Sequence, residues 1–190
     1  MKVKKLRDSV KGTKPKTPED RMAIFDFLRH NDFQTPDFGL ISELLKTHDS
    51  LMYCVAYPHD GRGRMMRLIE AGRRYPTSFA SMFVGEQIAP SPLQRMVQLA
   101  DRTYWVEYHS SVWCSRLGTG WKGKVMRYMS GWHPSINAPI FSIDSIKYNN
   151  VTYAIDFDLI PGLYKSGLEK ILSPKEIKKL ILKGEQHFKE

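Results

Sequence analysis

The stretch Ile140-Phe-Ser-Ile-Asp144-Ser-Ile-Lys-Tyr-Asn-Asn-Val-Thr-Tyr-Ala-Ile-Asp156-Phe-Asp158-Leu-Ile-Pro161-Gly162-Leu163 decides how this chain folds. Its β-forming runs, 140–148 and 151–158, are joined by an Asn-Asn turn, which is the pattern of a β-hairpin. Three aspartates sit inside it among Ile, Phe and Tyr. An unpaired buried carboxylate is costly, so cations or water must meet these groups. Acidic oxygen donors on adjacent strands are also what a Mg2+ site needs, since that ion prefers hard oxygen ligands.

Whether the aspartates can act together depends on one residue of register. A two-residue turn at Asn149 and Asn150 sets Asp144 across from Ile155, on the opposite face from Asp156 and Asp158. A three-residue loop centred on Asn150, a residue type that tolerates the left-handed conformation, sets Asp144 across from Asp156. The second register alone gathers three like charges on one face, and their repulsion then predicts a cation or basic side chains between them. A competing reading leaves Asp156 and Asp158 on a solvent face and gives Asp144 a local side-chain bond. The sequence leaves these alternatives open.

Around the hairpin, the 190 residues make one domain or two small ones. A hydrophobic fraction of 42% argues for a folded core and against disorder. No apolar run is long enough to span a bilayer, and the start, Met1 to Arg7, lacks the apolar segment of a signal peptide. Two cysteines, Cys54 and Cys114, are too few for a disulfide framework, so a cytoplasmic protein is expected. The net charge of +9 points to an anionic partner: nucleotide phosphates, nucleic acid or an acidic protein surface. Much of it lies at the ends, where it reads as a flexible basic arm over 1–16 and a solvated helix face near the C-terminus.

Four Ser/Thr-Pro steps read as helix starts: Thr17-Pro18, Thr35-Pro36, Ser91-Pro92 and Ser173-Pro174. In each the hydroxyl can cap free N–H groups and Pro suits the first helical position. Gln94 and Glu176 stand at the capping-box spacing. Helices are predicted at about 18–30, 36–47, 92–102 and 174–186, with another at 65–74. Residues 51–57, 104–109, 112–114, 124–129, 140–148 and 151–158 read as strands. The expected fold class is α+β: a mainly helical region over 17–102, then an antiparallel sheet closed by a C-terminal helix over 103–190.

The run from Phe141 to Asp144, the hairpin, and the run from Ala154 through Asp156 and Asp158 to Pro161-Gly162-Leu163 resemble the last part of ATP-grasp enzymes. That part carries an acid on one strand, then an acid-x-Asn motif closely followed by Pro-Gly. The resemblance covers about residues 103–183 and implies a shortened or divergent member, an ATP-dependent carboxylate–amine or carboxylate–thiol ligase in type, active or inactive. It implies that Asp144, Asp156 and Asp158 hold one or two Mg2+ ions bridging the phosphates of ATP. Asp158 stands where the family usually has Asn, which adds negative charge. It further implies a basic residue on a neighbouring strand that stabilises charge during phosphoryl transfer, and Arg116 is best placed by position. With Lys122, Lys124 and Arg127 it flanks the glycine-rich turn 118–123, whose N–H groups could cover phosphates.

A different class is also open. Arg62 and Arg64 in a Gly-Arg-Gly-Arg loop, with Arg67, Arg73, Arg74, Arg95 and Arg102 near Tyr75, Tyr104 and Trp105, suit a nucleic-acid-binding surface without catalysis. The loop lacks the Gly-Lys-Ser/Thr of a P-loop. His109, Cys114 and His133 match none of the usual zinc spacings.

Overall fold

The computed structural model of the protein describes residues 18–44, 46–47, 50–51, 53–55, 69–70, 83–85, 93–109, 122–148, 150–159, 161–163 and 166–187. The chain opens with helix α1 (Pro18–His30), strand β1 (Phe38–Leu40) and a short helix α2 (Ile41–Leu44). Short strands β2 (Ser50–Leu51), β3 (Tyr53–Val55), β4 (Ile69–Glu70) and β5 (Phe83–Gly85) follow. The main sheet is built from β6 (Leu93–Leu99), β7 (Arg102–His109), β8 (Lys122–Ser130), β9 (Ile140–Tyr148) and β10 (Val151–Asp158). A 3-10 turn (Leu168–Lys170) leads into helix α3 (Pro174–His187). The five long strands run antiparallel in the order β10-β9-β6-β7-β8, and a smaller sheet has the order β1-β5-β3.

Each face of the main sheet is covered by a helix, which makes three layers. On one face Met96, Phe141, Ile143, Ala154 and Phe157 pack against Ile24, Phe27 and Leu28 of α1. Those positions stand three and four apart, the spacing of one helical stripe. Phe27 is fully buried, with its ring 4.5 Å from that of Phe157. On the other face Val97, Leu99, Tyr104, Val106 and Tyr108 pack against Leu168, Leu172 and Leu180. Helix α1 stops where Asn31 donates its side-chain amide to the carbonyl of Phe27 at 2.7 Å and Asp32 turns left-handed at φ 64°. Phe25 of α1 also stacks on Phe38 at 5.1 Å, which ties β1 to the same helix.

The α+β class stands, as do the first and last helices and the strands of the hairpin. The capping box at the start of α3 forms: the backbone N–H of Ser173 donates to Glu176 Oε2 at 2.8 Å, and Glu176 N–H donates to Ser173 Oγ at 3.3 Å. The expectation of a helical N-terminal half is not supported. Instead of a helix at 92–102 the chain forms β6, and instead of one at 36–47 it forms β1 and the four-residue α2. Positions 95–100 are all buried, as in a central strand covered on both faces, and such a strand shows no alternation that sequence reading could recognise. The Thr35 hydroxyl does not cap a helix: it accepts a hydrogen bond from Arg29 Nε at 2.7 Å. The expected helix at 65–74 and strand at 112–114 lie largely or wholly outside the described residues, apart from β4. No helix among the described residues is long and apolar enough to cross a membrane.

The loop 131–139 places His133 against the α1 side of the sheet, stacked on Phe33 at 5.3 Å and edge-on to Phe141 at 5.8 Å. Its Nδ1 accepts the backbone N–H groups of Ser135 and Ile136, both at 3.3 Å, so the ring must be neutral to hold this turn. Burial lowers its pKa below the ordinary imidazole value. The unfolded chain therefore takes up this proton more readily than the folded one. The resulting stabilisation is complete above the ordinary value of about 6.5 and is lost as pH falls through the folded value. A His133→Asn variant, whose side-chain oxygen can accept the same N–H groups, is expected to flatten this loss. Thermal unfolding measured from pH 8 to pH 5 checks it, and equal acid sensitivity in both proteins would refute it.

Candidate functional site

The hairpin of β9 and β10 settles the register in an unexpected way. Beside the turn Val151 pairs with Tyr148 and Ala154 with Ser145, the register of a two-residue turn, with Asn150 left-handed at φ 63°. Past Ala154 the register shifts: Asp156 faces Asp144, Phe157 faces Ile143 and Asp158 faces Ser142. Ile155 is the extra residue of a β-bulge. Both expected registers thus occur in one hairpin, one on each side of the bulge. Because side chains alternate along a strand, the inserted residue moves Asp156 and Asp158 onto the face that carries Asp144. All three aspartates share one face.

The other neighbour of Asp144 is Arg95 on β6. Arg95 Nε donates to Asp144 Oδ1, and Nη2 donates to Oδ2 at 2.7 Å, a bidentate ion pair. The two side chains are 11% and 15% exposed. Arg95 Nη1 lies 3.5 Å from the carbonyl oxygen of Gly162, and the guanidinium carbon lies 5.5 Å from the centre of the Tyr108 ring. Burial works against the charge of Arg95, but Asp144, with smaller contributions from Tyr108 and Asp156, outweighs it and raises the pKa above the ordinary value. Burial pushes the Tyr108 phenol up, opposed in part by Arg95, so Tyr108 stays neutral at physiological pH. Asp156 Oδ1 accepts the N–H of Phe157 at 2.9 Å.

Sequence reading missed Arg95 as a site residue by placing it on a helix in a surface basic patch. One signal was available: a single Arg inside Leu93-Gln-Arg95-Met-Val-Gln-Leu99 is a charge in an apolar run, and such a charge needs a carboxylate. The burial of Arg95 takes it out of that proposed nucleic-acid surface. The Gly-Arg-Gly-Arg loop and Arg67, Arg73 and Arg74 lie outside the described residues.

The basic residues expected at the phosphates are distributed differently. Lys124 pairs with Glu107 and Arg127 with Trp105, which puts both on the face opposite the aspartates, on the far edge strand β8. The Arg127 guanidinium caps the Trp105 ring at 4.5 Å. The structure does not bring these two residues to the carboxylates. Arg116 lies outside the described residues; Lys122 opens β8, and its side chain lies outside them as well. Gly123, the second residue of β8, is a point of close backbone approach. A Cβ there would sit 2.4 Å from the Ser166 carbonyl oxygen and 2.7 Å from Val106 Cγ1.

The chain has an ATP-grasp-like fold. It is similar to D-alanine–D-alanine ligase from Bacillus anthracis complexed with ATP, with a TM-score of 0.56 and 10% identity over 91% of this chain and 69% of that one. It is also similar to the ATP-grasp ligase PsnB complexed with a phosphomimetic variant of its minimal precursor, Mg and ADP: TM-score 0.59 and 10% identity, over 88% of this chain and 58% of that one. The N5-carboxyaminoimidazole synthetase from Staphylococcus aureus complexed with ADP gives a TM-score of 0.56 and 11% identity, over 84% of this chain and half of that one. The sequence matches no protein-family model and no curated protein.

A magnesium ion can be tested against these donors. The carboxylates of Asp156 and Asp158 are hard oxygen donors, two residues apart on one face of β10, and fit such an ion in kind. Asp144 does not fit as a third ligand in this arrangement, because both its oxygens accept hydrogen bonds from Arg95. Among the described residues no three His, Cys, Asp or Glu side chains are grouped to hold a metal ion.

Proposed function

We propose that the protein is an ATP- and Mg2+-dependent ligase of the ATP-grasp type, joining a carboxylate to an amine or thiol. The observation that supports this reading best is the gathering of Asp144, Asp156 and Asp158 on one face, just ahead of Pro161-Gly162, in a fold shared with nucleotide-bound ligases. Asp156 and Asp158 would hold Mg2+, which when bound screens the charge of the phosphates. Arg116 would meet the phosphate oxygens. Arg95 fixes Asp144 and, through its approach to the carbonyl of Gly162, holds the Pro161-Gly162 segment. The substrate carboxylate attacks the γ-phosphorus, ADP leaves, and the amine or thiol then displaces phosphate from the acyl phosphate. The protein's contribution is positioning and charge stabilisation, with no covalent intermediate on the chain.

Mg–ATP at a hundredfold excess over its Kd should stabilise the fold by about 2.7 kcal/mol, or roughly 5–10 °C in a thermal unfolding scan. The shift should need Mg2+ and should disappear in Asp156→Asn. The absence of any shift would sink the reading. A full shift without ADP release on addition of candidate carboxylates would reduce it to nucleotide binding without turnover.

A further inference from the structure

We propose that the outer edge of β8 is a docking strand for an extended acidic segment of another protein, which joins the main sheet there as a sixth strand. The edge lies at the opposite end of the sheet from β10, and the proposal is independent of the nucleotide reading. The two ends of the sheet differ. At β10 the backbone N–H of Ala154 donates to the carbonyl of Gln34 at 2.7 Å, so the chain ahead of β1 covers that margin. At the other end β8 is the last strand among the described residues. From Met126 to Ser130 it is exposed without a break, on both faces. Met126, Tyr128 and Met129 are 55%, 49% and 52% exposed. Large hydrophobic side chains gathered this closely make a patch, whereas scattered ones would need no explanation. An edge strand also turns the N–H and C=O groups of alternate residues outward, a template for a further strand.

The register shows what such a strand meets. Arg127 and Met129 pair with Trp105 and Thr103 on one face, and Tyr128 and Ser130 with Tyr104 and Arg102 on the other. Met126 has no partner on β7, being the extra residue of a β-bulge, and it borders the docking stretch. Arg127 lies flat on Trp105 at 4.5 Å. The Tyr128 ring rests 5.2 Å from that of Tyr104, and its hydroxyl is 2.8 Å from Ser130 Oγ. An arginine and a tyrosine held this way are ordered before a partner arrives, which reduces the entropy lost on docking. Charge selects the partner. Strands β7 and β8 carry Arg102, Lys122, Lys124 and Arg127 against Glu107 alone. A second copy would bring the same cations to the same edge, on a chain whose net charge is +9. The occupant that fits sets a carboxylate against Arg127 and apolar side chains against Tyr128 and Met129.

The probe is a fluorescein-labelled peptide alternating glutamate with isoleucine and valine, titrated against the full chain by fluorescence anisotropy. It should bind and slow amide hydrogen exchange across 126–130. Arg127→Glu should weaken it roughly tenfold or more, and Met129→Ser should weaken it too. Both positions are exposed, so both variants should keep the fold, which circular dichroism checks. Altered peptides test the mode without touching the protein. Lysine in place of glutamate should abolish binding. Methylating the peptide's backbone nitrogens one at a time should weaken binding at every second position, the period of a strand ladder. No binding of the glutamate peptide, or equal binding of the lysine peptide, would overturn the proposal. So would a methylation series without that period, or protection confined to residues outside β8. Dimerisation of the protein that Arg127→Glu abolishes, seen by sedimentation, would assign the edge to a second copy and overturn it as well. None of these results bears on the Mg–ATP shift.

Discussion

Replacing Arg95 with Met will destabilise the protein by about 3–5 kcal/mol, a fall in Tm of roughly 6–20 °C. The effect comes less from the lost hydrogen bonds than from what stays behind. Asp144 is 15% exposed, and both its oxygens accept from this one side chain. Without Arg95 the carboxylate is left in the sheet with Asp156 facing it across the strand pair. Replacing both partners, Arg95→Met with Asp144→Leu, should recover most of the loss, because an apolar pair of similar volume avoids desolvating two charges. Urea unfolding of the three proteins checks both statements. A cost below about 1 kcal/mol for Arg95→Met would mean the pair is solvated and contributes as little as a surface ion pair.

Gly123→Val should cost about 3 kcal/mol, the upper end for overpacking, since the obstacle is backbone and not a flexible side chain. The added Cβ would meet the carbonyl oxygen of Ser166 at 2.4 Å, and relief requires β8 and the segment at Ser166 to part. That segment continues into Leu168, Leu172 and α3, which cover the face shared by the aspartates. A Cβ added at Gly167, at φ 84°, would sit 2.6 Å from the carbonyl oxygen of Gly123, so the two glycines form one tight crossing. The loss should therefore be local first: amide hydrogen exchange across 166–187 should accelerate more than in α1. Uniform acceleration in both helices would count against a specific crossing at Gly123.

The helices bounded by strong end signals were legible in the sequence because their cues are local. Ser173 and Glu176 satisfy each other's backbone groups within one turn, and Pro18 stands at the first position of α1, where its missing N–H costs nothing. The same kind of cue misled at Ser91-Pro92. There a capping-box spacing preceded a strand buried on both faces, and burial outweighed the local preference. Thr35 misled for a related reason: its hydroxyl is taken by Arg29, a contact that brings the end of α1 onto the loop after it.

Of the candidate site, residue types and their order along the chain marked three carboxylates in a β-forming run and required something cationic to meet them. The Asn-Asn turn marked the hairpin's ends as well. The tertiary structure alone decided that the aspartates share a face, because the bulge at Ile155 changes the parity of β10 and no residue type announces it. It alone decided which cation answers Asp144, since Arg95 lies 49 residues away along the chain and reaches it through strand pairing. And it alone separated Lys124 and Arg127 from the carboxylates, because the faces of five strands are assigned by their pairing to one another. Composition and spacing act along the chain, whereas register and charge compensation act across it.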